Sequence, residues 1–489
     1  MTCFVRLATH ISYIRLSVRI YGGAAMKPRR FARTRMLRAV LAAVLVLVLA
    51  PHVAPLPAAA AEDIPVTTTT GLLPDGMDWR ITMPDRGWNG TLLLDLDFVT
   101  GGVGASYTAL FNRGYAAAGI RRIPFELGGR DSRVSAAQLI QVIDVFTQHY
   151  GEPQYVITTG GSSGGVVAGY TMERYPDRID GAVANCTVPG YIPYLTPRLS
   201  SLFAAKVFFD IDLPIVQHPG TNFQADANSW RAAIDAAQAT PEGKARIALA
   251  LTLGQMNTWT NSALPSPDIN DLDQVQAYMY DTLRNLYAFD VNTRRNQEQQ
   301  VGGRAFNWTT GFDYRKIFLT MTRPEQQATV RKFYQQAGLN LAADLKKVNN
   351  APRIEADPAA VKEIHLHGDY TTKPRRPFLM NNLIGDPLVQ PVANFGYLQE
   401  ARKHGKGNLV RLIHVNGAGH CSFRANESVA AIETMNERVR TGVWPSTSSA
   451  ALNDRATQID PALVPRFIEY QNPKFAGGFW SNDRYRVKK

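Results

Sequence analysis

The stretch "ITTGGSSGGVVAGYTMERYP", Ile157 to Pro176, sets two adjacent serines between two pairs of glycines. Before it, "PQYVITT" is rich in β-formers, and after it the residues up to Pro176 read as a helix. A serine on a sharp strand-to-helix turn needs glycine two residues before and two after, because neighbouring backbone crowds it. Both serines fit, in the frames Gly160–Gly164 and Gly161–Gly165. Only the Ser162 frame leaves a further glycine, Gly165, at the third position, where the helix starts under the sheet. Ser162 is the candidate nucleophile and Ser163 its alternative. A plain Gly/Ser loop is the rival reading, and the flanking strand and helix weigh against it.

The flanks set the fold class. "NGTLLLDLDFV" (Asn89 to Val99) and "GYAAAGI" (Gly114 to Ile120) read as strands, and "DGAVANC" as a further one. Between them, Leu139, Val142, Ile143 and Phe146 fall at i, i+3, i+4, i+7, with Ser135 as N-cap. Strands alternating with helices predict an α/β fold, a mostly parallel sheet with helices on both faces. From about Val188 to Ala356 helices dominate: Thr240-Pro241 opens one, and Val275, Tyr278, Met279, Leu283 and Leu286 stripe another. The sheet pattern is expected to resume at "VKEIHLHGD" (Val361 to Asp369) and "GNLVRLIHV" (Gly407 to Val415).

The first segment stands outside the fold. "MKPRRFARTRMLRAVLAAVLVLVLAPHVAPLPAAAAED" has a basic start, an apolar run from Ala39 to Ala50 and a small-residue exit at Ala59-Ala60-Ala61. That reads as a secretory signal, too short in its apolar run to span a bilayer, with Met26 as the start and Arg29-Arg30 leaving the twin-arginine route open. Residues 1–61 carry nine Lys/Arg and no Asp/Glu, so removing them lowers the formal charge from +12 to +3. A balance that small gives no electrostatic case for nucleic acid or an anionic membrane. The expected product is exported and soluble, divided into a signal and upstream extension (1–61), a first core part (62–190), a helical insertion (191–356), a second core part (357–440) and a tail packed on the core (441–489). It keeps Cys186 and Cys421, and a lone pair of cysteines in an oxidising compartment is a disulfide candidate.

A serine hydroxyl needs a histidine to take its proton and a carboxylate to hold that histidine. His365 and His367 lie in a strand pattern, His414 ends another, and His404 sits in a charged surface run. His420, in "HVNGAGHCSF", follows a strand in a glycine-bearing loop that leads to a helix, the placement a base requires. Two acids are candidates: Asp369 in "LHGDYTT" and Asp386 in "IGDPLVQPVANFGYLQEA".

These segments resemble secreted bacterial α/β-hydrolases of the serine esterase type, distantly tannase- and feruloyl-esterase-like. The likeness covers "WNGTLLL", "LFNRGYAAAGI", "GGSSGGVVAGYTMERYPDRIDG", "GDPLVQPVANFGYLQEARKHG" and "NGAGHC". It implies the chain order Ser, acid, His, with Pro176 14 residues after Ser162 at the family spacing. It favours Asp386, whose surroundings match the family's "GxxDxxVP" loop, and makes "DYTTKPRRPFLMNN" an insertion between strand end and acid. An oxyanion hole is implied from the N–H groups of Ser163 and Phe98, and the helical insertion becomes the cap. In tannase and feruloyl esterase relatives a cysteine after the histidine is bonded to one just before the serine. Here that second position is Gly161, so the family pattern is incomplete. Cys186 instead ends the strand after the nucleophile helix, on the sheet edge where the resemblance puts His420, and Cys186–Cys421 is the expected pair.

The expected activity is ester hydrolysis through an acyl-enzyme, on a small-molecule or polymer-derived ester, with no metal or organic cofactor. A peptidase or amidase of the same fold is the first alternative, and a non-catalytic binding protein the second.

Overall fold

The structure, a computed structural model, describes residues 63–101, 103–124 and 131–477. The expected signal segment lies outside the described residues. Nine strands among them form one sheet: β1 (Val66–Leu72), β2 (Asp78–Pro84), β3 (Thr91–Asp95), β4 (Ala116–Ile120), β5 (Tyr155–Gly161), β6 (Gly181–Asn185), β7 (Phe378–Gly385), β8 (Val410–Ala418) and β9 (Phe467–Ile468). Their order is β1-β2-β4-β3-β5-β6-β7-β8-β9. The six from β4 to β8 in that order are parallel, while β1, β2 and β9 close the edges antiparallel. This is the α/β-hydrolase arrangement.

Fifteen helices fill the described connections. In the first part they are α1 (Phe98–Gly101), α2 (Ala105–Phe111), α3 (Ser132–Tyr150) and α4 (Ser163–Arg174). Next come α5 (Tyr191–Phe209), α6 (Phe223–Gln238), α7 (Pro241–Leu253), α8 (Leu272–Gln300), α9 (Tyr314–Thr320), α10 (Pro324–Gln336), α11 (Leu341–Asn350) and α12 (Pro358–Gly368). The last three are α13 (Pro391–Lys403), α14 (Ala425–Thr441) and α15 (Ser449–Ile459).

The central strands read as unbroken apolar runs because both faces of the sheet are covered. Leu92 and Leu94 of β3 pack with Leu139, Val142 and Phe146 of α3 on one face. Leu93 faces the other way, onto Leu110 and Phe111 of α2 and Val429, Ile432 and Met435 of α14. The block from α5 to α11 has its own core, in which Trp230 and Tyr287 stack at 5.3 Å. Among the described residues no helix is long and apolar enough to cross a membrane.

Two local expectations are corrected. Helix α3 begins at Ser132, three residues before the expected Ser135 cap, because the Asp131 carboxylate accepts from the Arg133 N–H at 2.9 Å and caps it first. More consequentially, residues 361–369 are not a strand. Asp357 caps α12 through the Ala360 N–H and Pro358 opens its first turn, so the alternation in "EIHLH" is coincidental. The sheet resumes at β7, inside the segment that the resemblance makes an insertion.

Candidate active site

Strand β5 ends at Gly161, and Ser162 turns the chain into α4 with φ 55° and ψ −122°. A side chain held in that region carries strain on the order of 1–3 kcal/mol, which the surroundings must impose. The glycines make the turn passable. A Cβ at Gly160 would stand 2.6 Å from the Gly164 carbonyl carbon, and one at Gly165 would stand 2.8 Å from Thr187 Cβ. The Ser162 N–H donates to Asn185 O at 3.0 Å, tying the turn to β6. Ser163 is the first residue of α4, where backbone N–H groups have no partner within the helix.

His420 follows β8 in the loop before α14 and reaches Ser162 from across the sheet edge. Its Nε2 lies 2.8 Å from Ser162 Oγ, and its Nδ1 lies 3.0 and 2.9 Å from the two carboxylate oxygens of Asp386. Asp386 is buried at the end of β7, and its Oδ1 also accepts from the N–H groups of Leu388 at 2.7 Å and Val389 at 3.1 Å. With its carboxylate fixed on Nδ1, the imidazole can present Nε2 as an acceptor for the serine proton.

Cys186 and Cys421 are joined by a disulfide, with Cα atoms 5.3 Å apart and 235 residues between them in the chain. The bond lies against the residue before the Ser162 turn: a Cβ at Gly161 would sit 3.5 Å from Cys421 Sγ and 3.6 Å from Cys186 Sγ. It pins the chain next to His420 to the end of β6. Cys186, His420 and Cys421 also form the described residues' one cluster of metal-type ligand atoms. Those atoms are already committed, the sulfurs to each other and the imidazole to Ser162 and Asp386.

A cavity of about 250 Å³ opens over Ser162, walled by Ser163, Val166, Tyr191, Tyr194, Thr293, Leu388, Val389 and Arg122, among others. Arg122 pairs with Asp97 in a two-pronged contact, its Nε 2.6 Å from Oδ1. Asp97 belongs to the loop after β3, whose shape is set by Asp95: its Oδ1 accepts from the Asp97 N–H at 2.9 Å and its Oδ2 from the Tyr107 hydroxyl. Burial pushes the Asp95 carboxyl up to about 6. Phe98 opens α1, its ring buried beneath the Arg80 guanidinium at 4.4 Å, and its side chain is not part of the cavity wall.

Asp369, the other acid candidate, is occupied elsewhere. It is the C-cap of α12 rather than a strand end, and its Oδ1 accepts from the Ile192 N–H at the start of α5. Its neighbour is His365, 3.6 Å away, while His367 pairs with Glu363 at 2.8 Å. These histidines stand on a helix, not in the strand expected for them. His414 does lie in β8 and is buried against Tyr470.

Several residues that shape the site carry no signal in the sequence. Arg122, Tyr191 and Tyr194 belong to no motif. Asn257 and Arg198 come from the helical block and meet the Asp386 loop from behind. No local pattern marks them, since their partners lie more than a hundred residues away in the chain.

The chain is similar to several known proteins. Residues 67–299 match the model of a family described as "Tannase-like family of unknown function (DUF6351)". An o-phthalyl amidase of Xanthobacter agilis is 32% identical over 433 residues, which span 83% of this chain and 95% of the relative. The chain belongs to the family of that amidase. Solved structures similar to this hydrolase include feruloyl esterase B from Aspergillus oryzae, aligned over 78% of this chain and 81% of its own at 12% identity and TM-score 0.36. Another is tannin acyl hydrolase from Aspergillus niger, aligned over 80% and 86% at 14% identity and TM-score 0.37.

Proposed function

We propose that this hydrolase cleaves carboxylic esters through an acyl-enzyme on Ser162. The observation that carries the reading is the unbroken contact from Ser162 Oγ to His420 Nε2 and from His420 Nδ1 to Asp386. His420 takes the hydroxyl proton as Oγ attacks the ester carbonyl. The oxyanion that forms faces the N–H of Ser163, with the loop at Phe98 supplying the second donor. The tetrahedral adduct expels the alcohol, which takes the proton from His420. Water, activated by the same imidazole, then frees the acid and restores Ser162. Asp386 keeps one tautomer in place and steadies the imidazolium.

Amide hydrolysis is the second reading, favoured by the 32% identity to an o-phthalyl amidase. It uses the same groups, with His420 protonating a leaving amine. The non-catalytic reading gains no support from so complete a contact chain. We also place the protein in an oxidising compartment outside the cytoplasm, on the grounds of the Cys186–Cys421 bond and the signal-like start of the sequence.

The test is a matched pair, the 4-nitrophenyl ester and the 4-nitroanilide of one acid, run with acetyl and o-phthalyl acyl groups. The ester reading expects the higher kcat/KM on the esters and loss of both activities in Ser162→Ala. A higher value on the anilides transfers the protein to the amide reading. Full activity in Ser162→Ala overturns both.

A further inference from the structure

The turn that carries Asp386 is held by the helical block rather than by the sheet it leaves. All four main-chain carbonyls from Asp386 to Val389 accept from two buried side chains of that block. Asn257 Nδ2 lies 2.9 Å from Asp386 O and 2.9 Å from Val389 O, so one amide nitrogen bridges the two ends of the turn. Between them, Arg198 Nη1 lies 3.1 Å from Pro387 O and 3.3 Å from Leu388 O.

Both donors are themselves fixed. Asn257 lies in the connection between α7 and α8, where Gln326 Nε2 braces it from either side, at 2.9 Å to Met256 O and 3.1 Å to Thr258 Oγ1. Arg198, on α5, is fully buried and anchored by Asp290 through Nε at 3.1 Å. Asp290 in turn takes Arg294 at 2.7 Å.

The turn matters because its main chain sets the direction of the carboxylate. The Leu388 and Val389 N–H groups donate to Asp386 Oδ1, so any shift of the turn rotates the group that His420 Nδ1 meets. A primary amide suits this position, because its two N–H protons satisfy two carbonyls at once and it places no charge beside the carboxylate.

We propose that Asn257 is a positioning residue for the acid, and that the helical block is thereby part of the catalytic frame and not only a wall of the substrate cavity. This rests on the reading of Ser162, His420 and Asp386 as the reacting set. Displacing a reacting group by an ångström costs about a hundredfold in rate, so Asn257→Ala is expected to lower kcat by about 10- to 100-fold with KM within about twofold.

A double-mutant cycle separates positioning from general damage. On an Asp386→Asn background, where no carboxylate is left to orient, Asn257→Ala is expected to cost less than about threefold more. Asn257→Ser, whose hydroxyl can serve one carbonyl, should fall between alanine and wild type, and it takes alanine's place in the cycle if that variant does not fold. Wild-type kcat in folded Asn257→Ala overturns the proposal, as does an equal loss on both backgrounds. Ser162→Ala is the control: if it retains activity, the reading of the site has failed, whereas dead Ser162→Ala beside fully active Asn257→Ala sinks the role of Asn257 alone.

Discussion

His420 Nε2 stands 2.8 Å from Ser162 Oγ, although 258 residues separate the two in the chain. Parallel strands end on one rim of the sheet, and loops leaving β5, β7 and β8 deliver serine, acid and histidine there. The contact depends on the sheet order more than on any local sequence.

The two acids make opposite predictions. Asp386→Asn keeps the shape but removes the charge that orients the imidazole, and kcat should drop by about 10⁴-fold. Asp369→Asn should leave kcat unchanged, because that residue serves the start of α5 and an amide oxygen accepts from the Ile192 N–H equally well. Steady-state kinetics on one chromogenic ester decides between them.

Ser162 holds a backbone conformation that favours glycine, with φ 55°. Ser162→Gly should therefore abolish activity and yet melt higher than Ser162→Ala, by about 1 kcal/mol in unfolding free energy. Parallel denaturant melts of the two inactive variants measure the difference. Equal stability would mean that the turn carries no strain.

His414 supplies a pH dependence of stability. Burial and the nearby Arg323 push its imidazole down to about 4, and its Nε2 lies 3.1 Å from Asn472 Nδ2, the arrangement of a neutral ring accepting a hydrogen bond. Because its folded pKa lies below the unfolded value, the unfolded chain takes up the proton first as the pH falls. Stability from this group is complete above about 6.5, declines as the pH drops toward 4 and levels below that, for a total of about 3 kcal/mol. His414→Gln should lose this part of the acid sensitivity, seen as a flatter Tm between pH 6.5 and 4 than in the wild type.

What the sequence discloses follows from how local each signal is. The Ser162 turn is legible because close approach of backbone at Gly160 and Gly165 demands glycine within a few residues. His420 is legible as a histidine in a glycine-bearing loop between strand and helix. The strand before the acid is not. "EIHLH" alternates like a strand and masks its Asp357-Pro358 helix start, while β7 hides behind two buried asparagines. Asn381 Nδ2 donates to Asn185 Oδ1 at 3.0 Å, and Asn382 Oδ1 accepts from Asn394, partners for these buried amides that the sequence does not announce. Asn257 and Arg198 are illegible for the same reason, since their role exists only once the helical block folds against the β7 loop.

The central claim is that Ser162 is the nucleophile, and covalent capture tests it most directly. The wild-type protein, treated with a fluorophosphonate and digested, should carry one adduct on the Ser162 peptide, assigned to Ser162 by fragmentation, and His420→Ala should label far more slowly. An adduct on Ser163, or no adduct on folded protein, would contradict the account.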